Sequence, residues 1–276
     1  MRAMRVVSQA DGGMTIAPLP LPLEKRTGVA DPEIYRRQAR GEAPVREFAP
    51  QRATVLRAIT LPNGRFDNLA SQPGALLTFV IAGTVTLTTD DGQCCALEAG
   101  DVFLTDAVSA GAVTIGASDQ VRLVQIDVAD DWPGPDAELQ EPGSIMPRES
   151  AEPNLKRMYT GRDDRSYFAD FPEIFASPLG VWTQPRPILG FSMLVWGEGG
   201  KIDYHPGVKT QIGLIMSGAL ELQVSGDEAQ EVFFAGDMCL AEDKTGVGHR
   251  NVKRGTSHTT HFVIADEHLW PYEKVH

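Results

Sequence analysis

The stretch "FVIAGTVTLTTDDGQCCALEAGDVFL" (79–104) has a second copy further along the chain, "LIMSGALELQVSGDEAQEVFFAGDMCL" (214–240). Both copies consist of short apolar runs, rich in β-branched residues, that are interrupted by Gly, Asp-Gly or Gly-Asp. Runs of this length with this punctuation are typical of strands and turns rather than of helices. The sequence therefore predicts an all-β protein.

The two copies belong to a longer internal repeat. Gly83 aligns with Gly218, which lies 135 residues later. The turn at 100–101 aligns with the turn at 236–237, and both read Gly-Asp. A repeat about as long as an ordinary domain indicates two copies of one fold. We therefore expect two similar β domains in tandem.

The composition between the copies predicts where the domains begin and end. Residues 134–153 are rich in Pro, Glu and Ser and contain little to bury, which predicts a linker. Trp132 and Trp270 occur just before a proline in both copies, near the ends of the two units. The first domain is therefore expected at 51–133 and the second at 154–276.

Residues 1–50 precede both domains and are predicted to form an N-terminal arm. Its prolines fix φ and remove amide donors, which favours an extended chain. Residues 31–43 are predicted to contain a short helix, with Asp31 as its N-cap and Pro32 at its first position. The arm is long enough to reach a neighbouring molecule or the second domain, so a homodimer is a further prediction.

Charge and composition exclude several classes of function. The net charge of -12 would repel a polyanion, which disfavours nucleic-acid binding. No apolar run approaches the roughly 18 residues that a membrane span requires, and the N-terminus lacks the apolar core of a secretory signal. The three cysteines, at 94, 95 and 239, do not suit a disulfide framework. A cytoplasmic protein without a membrane partner is the expectation.

The spacing of residues in the repeat resembles that of the cupin superfamily, and the chain after residue 50 resembles a two-domain cupin, or bicupin. The first motif of that family reads Gly, five residues, His-x-His, three or four residues, Glu, six residues, Gly. The second copy has Gly199, His205, Gly207, Gln211 and Gly218 at these positions. Gly207 thus replaces the second His and Gln211 replaces the Glu. The resemblance implies two tandem β-barrels of the jelly-roll type.

The first copy retains the glycines of the motif but not its metal ligands. Ala70, Gln72 and Leu76 occupy the two His positions and the Glu position, and Thr114 falls near the last His position. We therefore expect the N-terminal barrel to bind no metal through this set. All six histidines lie beyond residue 200, so any metal chemistry is expected in the C-terminal barrel.

The resemblance and strand periodicity together predict a metal site in the second copy. His249 retains the last His of the family's second motif, although the approach to it is longer and lacks the proline. Because strand residues alternate between faces, Asp203 is expected on the same face as His205. Two imidazoles and one carboxylate would suit Fe, and less well Zn, Mn or Ni, with Gln211 as a weak further ligand. In the alternative, His205 and His249 bond to each other, to Gln211 or to water, and no metal is bound.

Glu242 and His258 are the candidate catalytic residues. Glu242, with its neighbour Asp243, could act as an acid or base at the barrel mouth, although a turn after a strand is also a common place for solvated carboxylates. His258 and His261 lie on opposite faces of the last predicted strand, so one of them can line the cavity. The repeat aligns Phe262 with an apolar residue of the first copy, which favours His258 as the inward residue.

The function implied by the resemblance is that of a small-molecule enzyme acting in the C-terminal barrel, with one divalent metal. Dioxygenase, isomerase and lyase reactions all remain open, because a fold does not determine a reaction. The first barrel would then serve packing or assembly. The alternative is a metal-free cupin that binds a small ligand, or acts as an accessory protein, without catalysis.

Overall fold

The computed structural model describes residues 1–8, 13–43, 51–67, 73–106, 113–135, 137–141, 143–148 and 150–270. Strands dominate this part of the chain, so the predicted all-β class is confirmed. In chain order the elements are β1 (Ala3–Ser8), β2 (Met14–Pro18), β3 (Leu23–Arg26), β4 (Val29–Ala30), α1 (Pro32–Ala39), β5 (Val55–Leu61), β6 (Gly64–Phe66), β7 (Ala75–Thr89), β8 (Cys94–Glu98), β9 (Val102–Thr105), β10 (Val113–Val128), β11 (Leu155–Thr160), β12 (Ser166–Asp170), β13 (Arg186–Pro187), β14 (Gly190–Trp196), β15 (Lys201–His205), β16 (Gln211–Val224), β17 (Gln230–Phe233), β18 (Met238–Ala241) and β19 (His249–Val263).

The strands form two sheets with the same order, one for each copy of the repeat. The first runs β13-β5-β10-β7-β9-β1-β2, and the second runs β3-β14-β19-β16-β18-β11-β12. A hairpin, β1-β2 or β11-β12, lies at one edge of each sheet. Its first strand pairs in parallel with a strand of its own barrel, β1 with β9 and β11 with β18. The fold is therefore two tandem barrels of the jelly-roll type. Because β1 and β2 belong to the first sheet, that sheet begins well before residue 51.

The N-terminal arm contributes two strands to the second sheet, and the second copy contributes one strand to the first sheet. β3, from the N-terminal arm, pairs in parallel with β14 of the second sheet, and β4 pairs with β15. In return, β13 pairs with β5 of the first sheet. The arm therefore reaches the second barrel of its own chain, one of the two destinations that its length allowed.

The predicted short helix is present as α1. Asp31 caps it by accepting a hydrogen bond from the backbone N–H of Glu33 at 2.9 Å, and Pro32 occupies the first helical position. Asp31 thus pairs a backbone N–H that the first helical turn would leave without a partner, and the ring of Pro32 fixes φ at the first helical residue. The Arg36 side chain donates a hydrogen bond to the carbonyl of Tyr204 at 2.6 Å, so the helix is fastened to β15.

The barrels pack through one shared apolar core. Phe79 and Phe262, one from each barrel, meet edge to face with ring centroids 5.3 Å apart. The largest apolar cluster contains residues of β7 and β10 together with residues of β14, β16 and β19. Burying these faces against each other removes a large apolar area from water, which makes the two barrels a single hydrophobic unit.

The Gly-Asp turns that revealed the repeat lie at this contact. A Cβ atom on Gly100 would be 2.2 Å from the carbonyl oxygen of Met216, and one on Gly236 would be 2.1 Å from the carbonyl oxygen of Ile81. Both glycines also have a positive φ of 88°. Each barrel thus presents a glycine to the backbone of the other, and no larger residue fits there.

The interiors of the two barrels differ. In the first, one apolar cluster draws on every strand from β5 to β10. Leu76 is buried, and Thr114 accepts a hydrogen bond from Arg65; Ala70 and Gln72 lie outside the described residues. In the second, two smaller apolar clusters both contribute side chains to the wall of a cavity. Across the described ranges, no helix is long and apolar enough to cross a membrane.

Candidate functional site

The cavity of the C-terminal barrel has a volume of about 110 Å³. Its walls are mostly apolar, with side chains that include Met158, Leu194, Trp196, Ile202, Ile215, Leu220, Leu222 and Phe233. Its polar lining comes from Tyr35, His205, Lys209, Gln211, His249, Asn251, Lys253 and His261. A mostly apolar cavity with a few convergent polar groups is the usual form of a small-molecule site.

His205 faces the cavity as predicted, but Asp203 does not. The pairing of β15 with β19 contains a bulge between Ile202 and His205, so that one extra residue intervenes on β15. The bulge breaks the alternation of faces. Ile202 and His205 therefore both line the cavity, whereas Asp203 is exposed. The prediction that Asp203 lies beside His205 is wrong, because it assumed a regular strand.

The backbone of Asp203 nevertheless fixes the imidazole of His205. Nδ1 of His205 lies 2.8 Å from the carbonyl oxygen of Asp203. A carbonyl can only accept, so Nδ1 carries the proton and Nε2 keeps its lone pair. Burial, and secondarily the charge that His249 would carry, lowers the pKa of His205 from 6.5 to about 3. His205 is therefore neutral near pH 7.

His249 also faces the cavity, and a buried carboxylate orients it. Its Nδ1 donates to Oδ2 of Asp243 at 2.8 Å, and the same oxygen accepts a hydrogen bond from Ser166 at 2.9 Å. Asp243 is fully buried, and the described residues provide no hydrogen-bond partner for its Oδ1. With Nδ1 acting as the donor, Nε2 of neutral His249 also carries a lone pair.

The two imidazoles lie side by side. Their ring centroids are 4.6 Å apart, and the ring of Tyr35 also packs against His205, with centroids 4.8 Å apart. Tyr35 belongs to α1, so the N-terminal arm completes the wall of the C-terminal cavity. The structure thus brings His205 and His249 together, whereas their role as metal ligands stays a prediction. Nothing in the repeat pointed to Tyr35, because the helix that carries it has no counterpart in the other copy.

The donors around this pair do not fit a divalent metal. Among the described residues, no group of three His, Cys, Asp or Glu side chains is placed to bind one ion. Gln211 lines the cavity but provides only a neutral amide, and Gly207 provides no side chain. Lys253 adds a cation to the same walls. A divalent ion here would lack the anionic ligand that offsets its desolvation.

Glu242 lies away from the cavity. It is buried, with its Oε2 3.5 Å from Nε of Arg157, a side chain only 1% exposed. Arg157 in turn donates to the carbonyl of Trp270 and lies over the ring of Phe171. Ala241, the last residue of β18, lines the cavity, but Glu242 does not. The predicted position of Glu242 at the barrel mouth is therefore wrong, and Asp243 is the carboxylate that reaches the site.

The last strand presents His261 rather than His258 to the cavity. His258 bonds to Oγ of Ser217 at 2.7 Å, on the face of β19 that also carries Phe262. That face packs on the first barrel, so its apolar residues belong to the shared core and not to the cavity. The inward orientation predicted for His258 is wrong for this reason. Burial lowers the pKa of His261 from 6.5 to about 3.

Lys253 and Asn251 were missed by the sequence reasoning. Both follow His249 at intervals of two on β19, and all three line the cavity. The alternation of strand faces alone would have placed them there. Lys253 is only 5% exposed, and its Nζ lies 5.4 Å from the centroid of the Trp196 ring.

Comparisons with known proteins add to this description. No family model matches the chain, and no curated protein matches it. A cupin 2 conserved barrel domain protein from Leptotrichia buccalis is 11% identical, with a TM-score of 0.37, over 77% of this chain and 85% of its own. A protein of unknown function of the DUF861 family from Pseudomonas syringae is 14% identical, with a TM-score of 0.33, over 95% of this chain and 100% of its own. The protein YhaK from Escherichia coli is 11% identical, with a TM-score of 0.29, over 77% of this chain and 86% of its own. Cupin-type barrels are thus among the solved structures that resemble this chain.

Proposed function

We propose that this two-domain cupin is a small-molecule enzyme whose C-terminal cavity performs acid-base chemistry without a bound metal. The observation that carries the proposal is the hydrogen bond between His249 and Asp243 at the wall of that cavity. It leaves an imidazole lone pair directed away from a buried carboxylate, which is the arrangement of a general base. His205, which is also neutral, offers a second acceptor, its Nε2, on a ring a few ångströms away.

The cavity also restricts the substrate. A cavity of this size class accommodates a molecule on the order of benzene. The apolar walls favour a ligand that is mainly hydrocarbon, and the two Nε2 lone pairs disfavour an anion between them. The substrate is therefore a small, neutral, mostly apolar molecule. The first barrel, whose interior is apolar, supports the second by packing.

Ligand detection by NMR tests this function. A set of neutral molecules of up to about eight heavy atoms is screened for binding and for chemical conversion. Wild type should bind some of them, whereas Gly213→Leu should not, because its side chain would enter the cavity and its Cβ has ordinary clearance, 3.5 Å from His261. Gly116→Leu, at a strand glycine of the first barrel with similar clearance of 3.7 Å, is the matched control.

Replacement of His249 separates catalysis from binding. Loss of a positioned general base lowers rates by about 10²- to 10⁴-fold. We expect His249→Ala to lower the rate at which a bound molecule is converted by a factor in this range. Binding that His249→Ala leaves intact, with no conversion by wild type, would instead identify a ligand-binding or accessory protein.

Metal content is tested independently of any substrate. Protein purified without a histidine tag is dialysed against Zn²⁺, Mn²⁺, Ni²⁺ or anaerobic Fe²⁺ and analysed for metal. We expect well under one equivalent in both wild type and His249→Ala. One equivalent of metal in wild type that is lost in His249→Ala would overturn the metal-free mechanism and restore the divalent metal that the family resemblance implies.

A further inference from the structure

Lys253 is a buried cation in the proposed active cavity. Its backbone pairs with Leu220 of β16 and its N–H donates to the carbonyl of Gly200, so both flanks hold the residue in place. The side chain is 5% exposed and lines the same cavity as His205 and His249. A lysine so placed costs stability unless something compensates its charge, and therefore calls for a function.

Among the described residues, the surroundings of Lys253 offer it an aromatic ring but no ion-pair partner. The ion pairs formed within the described part of the chain do not include it. Its Nζ lies over the face of Trp196, 5.4 Å from the ring centroid. Burial lowers the pKa of Lys253 from 10.5 to about 7. A substantial fraction of the side chain is therefore a neutral amine at neutral pH, which is the nucleophilic form.

The imidazoles lie close enough to Lys253 to feel its charge. The charge on Lys253 contributes to lowering the pKa of both His205 and His261. Because Nε2 of His205 and Nε2 of His249 are acceptors, the cavity provides bases next to an amine rather than donors for an anion. Amine and base together match the chemistry of a carbonyl group, whose carbon takes the nucleophile and whose oxygen must be protonated.

We infer that Lys253 forms an imine with a small, mostly apolar aldehyde or ketone in the C-terminal cavity, an inference that rests on the proposed function. The Nζ lone pair forms a bond to the carbonyl carbon while the C=O π electrons move to oxygen. An imidazole transfers a proton from nitrogen to that oxygen, giving a carbinolamine. The C–O bond then breaks and the oxygen leaves as water with a second proton that originates from Nζ. One amine and one carbonyl yield one imine and one water, with no oxidation or reduction.

Reductive trapping with butanal and sodium cyanoborohydride tests this inference on the full chain at pH 7. Hydride from the reagent converts the imine to a stable N-butyl lysine, which peptide mapping locates. Lys25, whose side chain is 76% exposed, is the internal reference for surface lysines. We expect Lys253 to be alkylated at least ten times faster than Lys25. Alkylation of Lys253 no faster than that of Lys25 would overturn the inference.

Variants make the test specific. Lys253→Arg retains the charge but has no primary amine, and should lose the fast adduct while Lys25 still reacts. Gly213→Leu should slow Lys253 alone. A fast adduct that persists at another residue in Lys253→Arg would contradict the assignment. The wild-type peptide map stands by itself if a variant does not fold.

The same experiment distinguishes the lysine from the histidine. If Lys253 reacts at the wild-type rate in His249→Ala, the lysine inference holds and the proton-transfer role proposed for His249 fails. If wild-type Lys253 is unreactive while His249-dependent conversion of another molecule is observed, the lysine inference fails and the proposed function stands.

Discussion

Asp243 accepts a hydrogen bond from Nδ1 of His249 at 2.8 Å, and its carboxylate is completely buried behind the wall of the cavity. The bond fixes which nitrogen of His249 carries the proton, and so makes Nε2 the acceptor that faces a ligand. Ser166 donates to the same carboxylate oxygen and holds it in place. The chemistry of the cavity thus depends on a residue that does not line it.

Replacing Asp243 by Asn should reverse the tautomer of His249. The amide can donate to Nδ1, which would move the imidazole proton to Nε2 and remove the base. We expect the ¹⁵N shifts of the His249 ring to interchange and any His249-dependent conversion to fall by about 10²-fold or more. Ser166→Ala, which removes the other partner of Asp243, should leave the tautomer unchanged. Unaltered ¹⁵N shifts in Asp243→Asn would contradict the role of this bond.

The buried histidines predict a loss of stability in mild acid. Burial lowers the pKa values of His205 and His261 from 6.5 to about 3 and that of His258 to about 4. Below pH 6.5 the unfolded chain therefore binds protons that the folded chain does not, so the free energy of unfolding falls as pH falls. Each histidine contributes up to about 1.4 kcal/mol per pH unit.

Urea unfolding between pH 7.5 and 5 measures this slope. His205→Asn should flatten it by up to one proton even if the variant is less stable overall, because the slope reports protons and not contacts. A wild-type free energy of unfolding that is constant from pH 6.5 to 5 would show that the buried imidazoles are not held neutral.

Lys253 should reduce stability in a pH-dependent manner. Its pKa is about 7 in the folded protein, whereas an ordinary lysine in the unfolded chain has a pKa of 10.5. Between these values the unfolded chain binds a proton that the folded chain does not, so the free energy of unfolding rises with pH. Lys253→Met replaces the cation with an apolar side chain of similar length and should stabilise the protein at pH 7 by about 1–4 kcal/mol. The gain should shrink as the pH approaches 10. Lys156→Met is the control, because Lys156 pairs with Asp170 and should show no such gain.

The fold was predictable because the signals that define it are local and occur twice. The Gly-Asp turn at 100–101 and its counterpart at 236–237 punctuate strands of similar pattern, and the structure gives both copies the same strand order. The helix start at Asp31 was predictable because its capping signal is local, although it occurs only once. The exchange of β3 and β13 between sheets was not, because short strands in irregular segments carry no periodic signal of their own.

The site was predictable only in part because alternation and burial along a strand do not by themselves show which side chains face the barrel interior. His205 and His249 retain motif positions, and both line the cavity. Asp203 failed because a bulge, which depends on the pairing partner, shifts the parity. His258 failed because the apolar neighbours that it shares a face with pack on another barrel, so their burial does not indicate the barrel interior. Tertiary packing decided both positions.

The glycines at the contact between barrels should be far less replaceable than other glycines in turns. Gly236→Ala would place a methyl group 2.1 Å from the carbonyl oxygen of Ile81, and we expect it to destabilise the protein by about 2–4 kcal/mol. Gly92→Ala is a matched control, because Gly92 has a φ of 86° but no atom within 4 Å of an added Cβ. Thermal unfolding of both variants separates the steric effect from backbone strain. Equal losses would show that the φ angle alone requires glycine at 236.

Restoring the two altered motif positions should create a metal site in the C-terminal cavity. Gly207→His adds an imidazole on the loop beside His205, and Gln211→Glu adds a carboxylate to the cavity wall. A Cβ at 207 would lie 3.2 Å from Oδ1 of Asp243, which is tight but requires only a shift of a few tenths of an ångström. The double variant would then have three imidazoles and one carboxylate, a set that suits a divalent transition metal. We expect it to bind about one equivalent of Zn²⁺ or Ni²⁺ by elemental analysis, and its melting temperature to rise with added metal through preferential binding to the folded state. Asp203→Asn in that background should leave metal content unchanged, because the Asp203 side chain is exposed. Loss of metal in the Asp203→Asn background would show that the bulge does not hold this carboxylate outside the cavity.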